Sequence, residues 1–309
     1  MKLITVICPV HNEELCAPIF YERLCKVAES VKDRYEFEII FVNNRSTDRT
    51  LELLLGYRKK DPRVQILTMS RNFTYQPSLQ AGFTHASGDA IVAIDVDCED
   101  PPEMLPQFLA KWEEGYDVVY GSRSDRVENW IIKKLRRVFY RVLKLTADVD
   151  IVLYMAEFAL ISSVVRDAII SNNNAHNYLR AEIGYAGFSR FGIEYVRHQR
   201  AAGKTHYHFG HMIVFTISTL VTASTVMLRL PFYFFPFLFL FNVVMLALAR
   251  GNPLSGYFSS LVVTDILYAT LLLTAQGSYL ARIYKNGIAR PYYILDPKHT
   301  YLTKTKKTA

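Results

Sequence analysis

Four carboxylate side chains lie within six residues of one another, at Asp95, Asp97, Glu99 and Asp100. Acids this close repel one another, and a bound cation relieves that repulsion. Oxygen ligands one residue apart suit Mg²⁺ or Mn²⁺, and either ion can also bind the phosphates of a diphosphate. We therefore predict a metal site at Asp95 and Asp97, with Glu99 as an accessory group. The alternative interpretation is a solvated acidic turn that caps a helix beginning near Glu103.

A repeating pattern of strands and helices positions this acidic turn. Five apolar runs predict strands, at 3–8, 37–43, 64–69, 90–95 and 117–120. Helical spacing predicts four helices, over 17–32, 48–59, 75–86 and 103–113. Such alternation is typical of an α/β fold with a mostly parallel sheet, in which ligands bind beyond the carboxyl ends of the strands. Three polar clusters follow predicted strands, and we expect them to meet at that edge: Pro9–Glu14, Asn43–Asp48 and Asp95–Asp100.

The last third of the chain is far more apolar than the rest. Residues 231–249 carry no charge and 257–281 carry only Asp265, so each stretch is long enough to span a bilayer. Asp265 is costly in a span, which predicts that it faces a helix partner or another subunit, as in a homo-oligomer. Residues 211–228 are uncharged but rich in Ser and Thr, and we interpret them as interfacial.

Four regions are therefore predicted. They are a cytoplasmic catalytic domain over 1–205, an interfacial amphipathic helix over 206–230, two transmembrane helices within 231–284 (about 231–250 and 257–281), and a basic cytoplasmic tail over 285–309. No signal-peptide pattern opens the sequence, and two spans place the lysine-rich tail and the catalytic domain on the same side.

The net charge of +7 favours phosphate ligands and anionic membrane lipids as partners. Nucleic acid is the less favoured explanation, because the sequence contains no nucleic-acid motif. The four cysteines lack zinc-ligand spacing and suit a reducing compartment.

Eight segments, in order, resemble those of the family-2 glycosyltransferases of the GT-A (Rossmann-like) fold, in the branch of the polyprenyl-phosphate sugar transferases. The segments are Cys8–Glu14, Val42–Asp48, Ser70–Phe73, Ala81–Gly82, Ala86–Asp89, Asp95–Glu103, Arg200–Tyr207 and Gly277–Tyr284. The resemblance implies an inverting, metal-dependent transfer of a sugar from a UDP- or GDP-linked donor to polyprenyl phosphate. It also implies a multi-pass protein of the bacterial inner membrane that serves cell-envelope glycan modification.

The resemblance assigns roles on the donor side. Base and ribose would be held by Pro9, Val10, Asn12, Glu14 and Asn44. The donor diphosphate would be bound through the metal by Asp95 and Asp97, and directly by Arg200 and Lys204. Arg71, which follows the third predicted strand, is a further candidate for phosphate contact, with a surface arginine as the alternative. The sequence departs from the family at Asn43 and Asn44, where Asp is common, and at Arg45, where Gly is common.

On the acceptor side, Arg123 and Arg126 match a pattern linked in the family to the lipid phosphate, and Arg137 lies in the same basic stretch. Residues 121–141 predict a basic amphipathic helix at the membrane surface, with a solvated charge run as the alternative. Glu157 stands where relatives carry an acid and is a candidate catalytic base. A phosphate monoester is already largely ionised at pH 7, so Glu157 could instead orient the acceptor or assist the metal.

Two other functions remain open on the sequence. A processive or lipid-independent polysaccharide glycosyltransferase usually has more spans and a Gln-x-x-Arg-Trp motif, which this sequence lacks. A catalytically inactive membrane scaffold is favoured by two departures from the family, at Asn44, where Asp is common, and at Ala159, where Arg is common. Intact Asp95 and Asp97 argue against that scaffold.

Overall fold

A computed structural model describes residues 1–123, 155–172, 178–202, 224–249 and 256–302, together with positions 134, 141 and 148. The chain divides into two compact units. The first comprises Met1–Arg136, Asp150–Tyr207 and Pro291–Ala309, and the second comprises Arg137–Val149 and His208–Arg290.

A seven-stranded sheet forms the centre of the described part of the first unit. Its strands are β1 (Lys2–Val10), β2 (Tyr35–Asn43), β3 (Val64–Thr68), β4 (Ala90–Ala93), β5 (Val118–Arg123), β6 (Met155–Ser162) and β7 (Arg190–Tyr195). Their spatial order is β3-β2-β1-β4-β6-β5-β7. Strand β6 runs antiparallel to β4 and β5, and the other neighbours are parallel. The predicted α/β class with a mostly parallel sheet is confirmed, and β6 and β7 are strands that the sequence did not predict.

Helices cover both faces of this sheet. They are α1 (Ala17–Ser30), α2 (Thr50–Lys60), α3 (Tyr75–His85), α4 (Leu105–Glu113), α5 (Ser163–Ser171) and α6 (Leu179–Ala186). Alternate residues of β1 face opposite layers, so that Ile4 and Val6 pack in one core and Ile7 in the other. Burial on both faces explains why the inner strands are largely apolar.

One acid of this sheet, Glu38 on β2, is buried. Its carboxylate accepts hydrogen bonds from the hydroxyl of Thr5 and the amide of Gln65. It also accepts from both the backbone N–H (3.0 Å) and the hydroxyl (2.7 Å) of Ser87. Four hydrogen bonds therefore replace the hydration that the carboxylate loses on burial, as the burial of a polar group requires.

The second unit contains two long helices, α7 (Val226–Ala249) and α8 (Gly256–Gly287). Their segments Leu228–Ala249 and Gly256–Gly287 are long and apolar enough to cross a membrane. In the most apolar 18-residue stretch of each helix, only 6% and 0% of the stretch is buried, whereas the core helices of a soluble domain are mostly buried. Asn242 on α7 donates a hydrogen bond to Asp265 on α8 (Nδ2 to Oδ1, 2.8 Å), so Asp265 faces a helix partner, as expected.

The chain returns to the first unit after α8. Leu295 and Tyr301 pair with Met69 and Ile66 at the edge of the sheet. The stretch predicted as a basic tail thus contains, at 291–302, a segment bound to β3. The predicted interfacial helix lies largely outside the described residues, as does most of the predicted basic helix over 121–141.

Candidate active site

The first two polar clusters meet at the carboxyl ends of β1 and β2. The backbone N–H of Asn12 donates to the hydroxyl of Ser46 (3.0 Å), and its side-chain oxygen accepts from the N–H of Thr47 (2.8 Å). Glu14 accepts from the N–H of Arg49 (3.0 Å), the residue that precedes α2. These contacts hold the two loops against each other, and they confirm that the clusters converge.

Asn44 is the most deeply engaged of the predicted nucleotide-binding residues. Its side-chain nitrogen donates to Asn72 (2.9 Å) and to the carbonyl of Thr74 (3.1 Å), and its oxygen accepts from the N–H of Phe73 (2.8 Å). The amide therefore positions residues 72–74. Val10 is also part of the protein interior, because its side chain is buried and its carbonyl accepts from the N–H of Asn44 (2.9 Å).

The acidic turn follows β4 directly. Asp97 Oδ1 accepts from the N–H of Glu99 (3.0 Å), and Cys98 between them has a positive φ of 61°. Asp100 is buried and accepts a hydrogen bond from the hydroxyl of Tyr195 on β7. Partial burial and the negative charges of Asp97 and Asp100 raise the pKa of Asp95 to about 7. The turn therefore concentrates negative charge around Asp95.

This donor set fits a divalent cation that is shared with a phosphate ligand. Within the described ranges, no group of three or more His, Cys, Asp or Glu side chains is arranged to hold a metal. Asp95 and Asp97 would supply carboxylate oxygens, and a bound diphosphate and water would complete the coordination of Mg²⁺.

Arg200 joins the acidic turn to the first polar cluster. Its guanidinium pairs with Glu13 and lies 3.6 Å from Asp97 (Nη1 to Oδ2). The backbone around it follows the turn, with Ala201 N–H donating to the carbonyl of Asp97 (3.0 Å) and His198 N–H to that of Glu99 (2.9 Å). All three polar clusters therefore meet, and the predicted role of Arg200 in binding the diphosphate stays a prediction.

Glu99 has a partner that the sequence did not predict. Its carboxylate pairs with Arg197, three residues before Arg200. The role of Glu99 as an accessory group of the metal stays a prediction.

Glu157 lies on β6 beside Asp95. The β4–β6 ladder ends at the pair Ala93–Ala159, and Asp95 and Glu157 each stand two residues beyond it. Arg180 on α6 donates to one oxygen of Glu157 (Nε to Oε1, 3.1 Å). The other oxygen, Oε2, is buried and has no hydrogen-bond partner among the described residues.

Sequence reasoning missed two residues of this site, Tyr75 and Arg180. The Tyr75 hydroxyl is buried and lacks a partner in the described part of the chain. Burial and the charges of Asp95 and Glu157 raise its pKa, so the hydroxyl keeps its proton. Tyr75 begins α3, Arg180 is the second residue of α6, and neither belongs to a predicted motif. The sequence feature that could have pointed to Tyr75 is its position five residues after the start of the Ser70–Phe73 segment.

The structure describes only some of the remaining predicted site residues. Arg71 is exposed, donates to the carbonyl of Asn72 (3.1 Å) and stacks on Phe73, 3.8 Å from the ring centroid. Arg123 ends β5. Three predicted residues lie outside the described residues: Arg126, Arg137 and Lys204.

Comparisons with known proteins agree with this geometry. The sequence profile described as "Glycosyl transferase family 2" matches residues 5–165. The uncharacterized glycosyltransferase YkcC of Bacillus subtilis (strain 168) is 36% identical over 96% of this chain and 94% of its own length. The SfII prophage-derived bactoprenol glucosyl transferase of Shigella flexneri is 33% identical over 96% of this chain and 98% of its own.

The sheet, the acidic turn after β4 and these matches define an enzyme, a glycosyltransferase of the GT-A fold. The chain belongs to glycosyltransferase family 2. The resemblance drawn from its motifs is confirmed.

Proposed function

We propose that this enzyme transfers a hexosyl group from a UDP- or GDP-linked sugar to polyprenyl phosphate, with inversion at the anomeric carbon. The observation that carries the proposal is the contact of Arg200 with Asp97, in the acidic turn that begins at Asp95 at the carboxyl end of the sheet. The acceptor is supported by relatives that are named bactoprenol glucosyl transferases and that match this chain from end to end.

The chain's own residues perform most of the chemistry in this scheme. Asp95 and Asp97 would hold the divalent cation and, through it, the donor diphosphate. Arg200, which Glu13 orients, stabilises the charge that develops on the leaving diphosphate. A bound Mg²⁺ or Mn²⁺ supplies further charge neutralisation on that leaving group.

The acceptor phosphate attacks the anomeric carbon as an anion. Because that oxygen carries no proton at neutral pH, the displacement requires no general base. Glu157 then acts by binding and orientation. A single displacement inverts the anomeric configuration.

The path of the chain supports membrane attachment by an even number of spans. The stretch that ends at Tyr207 and the stretch that begins at Pro291 belong to the same unit, so the segment between them crosses a bilayer an even number of times if it crosses at all. Helices α7 and α8 satisfy this condition as two spans, and a third span within 211–228 does not. The nucleotide sugar then places the first unit on the cytoplasmic face of the bacterial inner membrane, with the predicted lipid-phosphate residues Arg123, Arg126 and Arg137.

A donor screen tests the proposal. The purified full chain is incubated with undecaprenyl phosphate, Mn²⁺ and radiolabelled UDP-glucose, UDP-N-acetylglucosamine or GDP-mannose, and the products are extracted into organic solvent. We expect one donor to label the lipid phase, EDTA to abolish the label, and the product to have the opposite anomeric configuration. Label in a water-soluble polymer would indicate a processive synthase. No label with any donor would indicate an inactive scaffold and contradict the proposal.

A further inference from the structure

Two buried polar atoms near the acidic turn lack partners. They are the hydroxyl of Tyr75 and Oε2 of Glu157, both without a hydrogen bond in the described ranges. Both lie on the same side of the sheet, because Glu157 stands opposite Asp95 just beyond the Ala93–Ala159 rung and Tyr75 packs against the core layer that contains Ala93 and Ala159. Buried polar atoms are rarely left unpaired, since each costs the free energy of lost hydration. Two of them beside one carboxylate cluster indicate a ligand that pairs with both.

The protein fixes both groups rigidly. Arg180 holds Glu157 through its other oxygen, which aims the free oxygen away from the guanidinium. The first turn of α3, which carries Tyr75, is tied to the first turn of α6, which carries Arg180, by a hydrogen bond from Leu179 N–H to Gln76 Oε1 (3.2 Å). Tyr75, Arg180 and Glu157 therefore form one preorganised wall of the site, built from α3, α6 and β6.

We propose that Tyr75 and Glu157 form the subsite that binds hydroxyl groups of the transferred sugar and so select which sugar is accepted. The proposal rests on the proposed function. Tyrosine donates a hydrogen bond and an ionised carboxylate accepts one. A sugar hydroxyl does both, so one hydroxyl, or two adjacent ones, can satisfy Tyr75 and Glu157 together.

The other ligands of this enzyme fit the pair poorly. A phosphate would accept from Tyr75, but it would face the negative charges of Glu157 and Asp95. A cation would suit Glu157, but a phenol hydroxyl is a poor ligand beside carboxylate oxygens. The combination of one fixed donor and one fixed acceptor therefore favours a neutral polyhydroxyl group. A site built this way discriminates strongly against a substrate that lacks the matching hydroxyl.

Tyr75→Phe tests the proposal, because it removes one hydroxyl and keeps the ring packing. Removing an unpaired buried hydroxyl should leave the midpoint of thermal unfolding unchanged or raised. The matched control is Tyr57→Phe, which removes another buried, unpaired hydroxyl from a ring that stacks on Tyr21, in the packing between α1 and α2. Both variants are assayed with the sugar donor that the wild type uses and with its monodeoxy analogues at each hydroxyl position.

We expect Tyr75→Phe to lower kcat/KM for the full sugar about tenfold, the size of one lost hydrogen bond. For one monodeoxy analogue the same variant should differ from wild type by less than about twofold, because the partner hydroxyl is already missing. Tyr57→Phe should match wild type with every donor. The affinity for the free nucleoside diphosphate should be equal in all three proteins.

The outcomes separate this proposal from the function on which it rests. Transfer by the wild type, with the Tyr75→Phe effect equal for every analogue or absent, would overturn the sugar subsite and leave the function intact. Absence of transfer by the wild type would overturn the function and the subsite together.

Discussion

Glu38 and Glu157 are both glutamates of the same sheet, and they differ in how their carboxylates are satisfied. Glu38 accepts from four donors that belong to neighbouring strands and to Ser87. Glu157 has one donor, Arg180, and a buried oxygen without a partner in the described ranges. The first acid needs no ligand to satisfy its hydrogen bonds, whereas the second has an oxygen that a ligand could bind. The pairing of each buried acid therefore separates the structural role of Glu38 from the ligand-binding role that we propose for Glu157.

Position explains the difference. Glu38 lies opposite Thr5 in the β1–β2 ladder, where neighbouring backbones approach closely. At Gly88, a Cβ would lie 2.7 Å from the backbone nitrogen of Thr5, so this region has no space for a ligand. Asp95 and Glu157 stand beyond the last rung of the β4–β6 ladder, at the edge of the sheet where ligands bind in open α/β folds.

Asp97→Asn should give the largest loss of activity, because it changes the acidic turn that lies beside Glu157. It keeps the shape of the side chain and removes one charge from the acidic turn. We expect transfer to polyprenyl phosphate to fall by about 10³-fold or more, because metal and diphosphate binding are both weakened. Thermal unfolding of the metal-free variant should occur at the same temperature as wild type or higher. Activity within tenfold of wild type would contradict the metal role.

Glu157→Gln should come next, with a loss in kcat/KM of about 10²-fold, since the variant weakens the contact with Arg180 and replaces the free oxygen. Its unfolding free energy should change little. A large loss of stability together with full specific activity of the folded fraction would place Glu157 in the same structural class as Glu38.

Glu38→Gln should show the opposite pattern. The amide nitrogen would face groups that donate, so we expect a loss of about 1–3 kcal/mol in the free energy of unfolding. Chemical denaturation of the detergent-solubilised protein measures it. The kcat/KM of the folded variant should equal that of wild type. A loss of activity without a loss of stability would contradict the structural role of Glu38.

The stability of the metal-free protein should depend on pH through Asp95. Its folded-state pKa is raised to about 7, against about 3.9 in an unfolded chain. The folded state therefore binds more protons between these values, and Asp95 destabilises it by up to about 1.4 kcal/mol per unit as pH rises from about 4 to 7. Asp95→Asn should remove this slope in denaturation curves, and so should saturating Mn²⁺ with UDP. An unchanged slope in the variant would assign the dependence to other groups.

The smallest effect is expected at the donor loop. Arg45 has a positive φ of 59°, which is strained for a residue with a side chain, and it pairs with Asp296 of the returning segment (3.2 Å). Half of the Arg45 side chain is exposed, so the pair contributes little to stability. We expect Asp296→Ala to raise the KM for the nucleotide sugar about threefold with kcat unchanged. The exposed Lys298, in the same segment, provides the control Lys298→Ala, and equal effects of both changes would remove this role.

Much of this architecture was predictable, because local patterns encode it. Strands β1 to β4 are largely apolar runs, and the Asp95–Asp97 spacing favours a metal site over a solvated acidic turn. Strand β7 is only partly buried and its pattern is weak, while β6 runs directly into α5. Neither offered a clear boundary to sequence reasoning.

The contacts that complete the site are long-range, and no local pattern reports them. Arg180 meets Glu157 only because α6 packs beside β6, and Asp296 meets Arg45 across 251 residues. Asn44 shows the converse. Its place in a nucleotide-binding motif predicted a ligand contact, whereas its amide is already bonded to residues 72–74.

Mn²⁺ binding tests most directly the claim that the acidic turn is a metal site, because Asp95 and Asp97 should bind a cation together with the diphosphate. Electron paramagnetic resonance can count free and bound Mn²⁺ in titrations of wild type, Asp97→Asn and Glu38→Gln with UDP present. We predict one bound ion per chain in wild type and in Glu38→Gln, and loss of that binding in Asp97→Asn. Equal binding by wild type and Asp97→Asn would contradict the assignment of the acidic turn as the metal site.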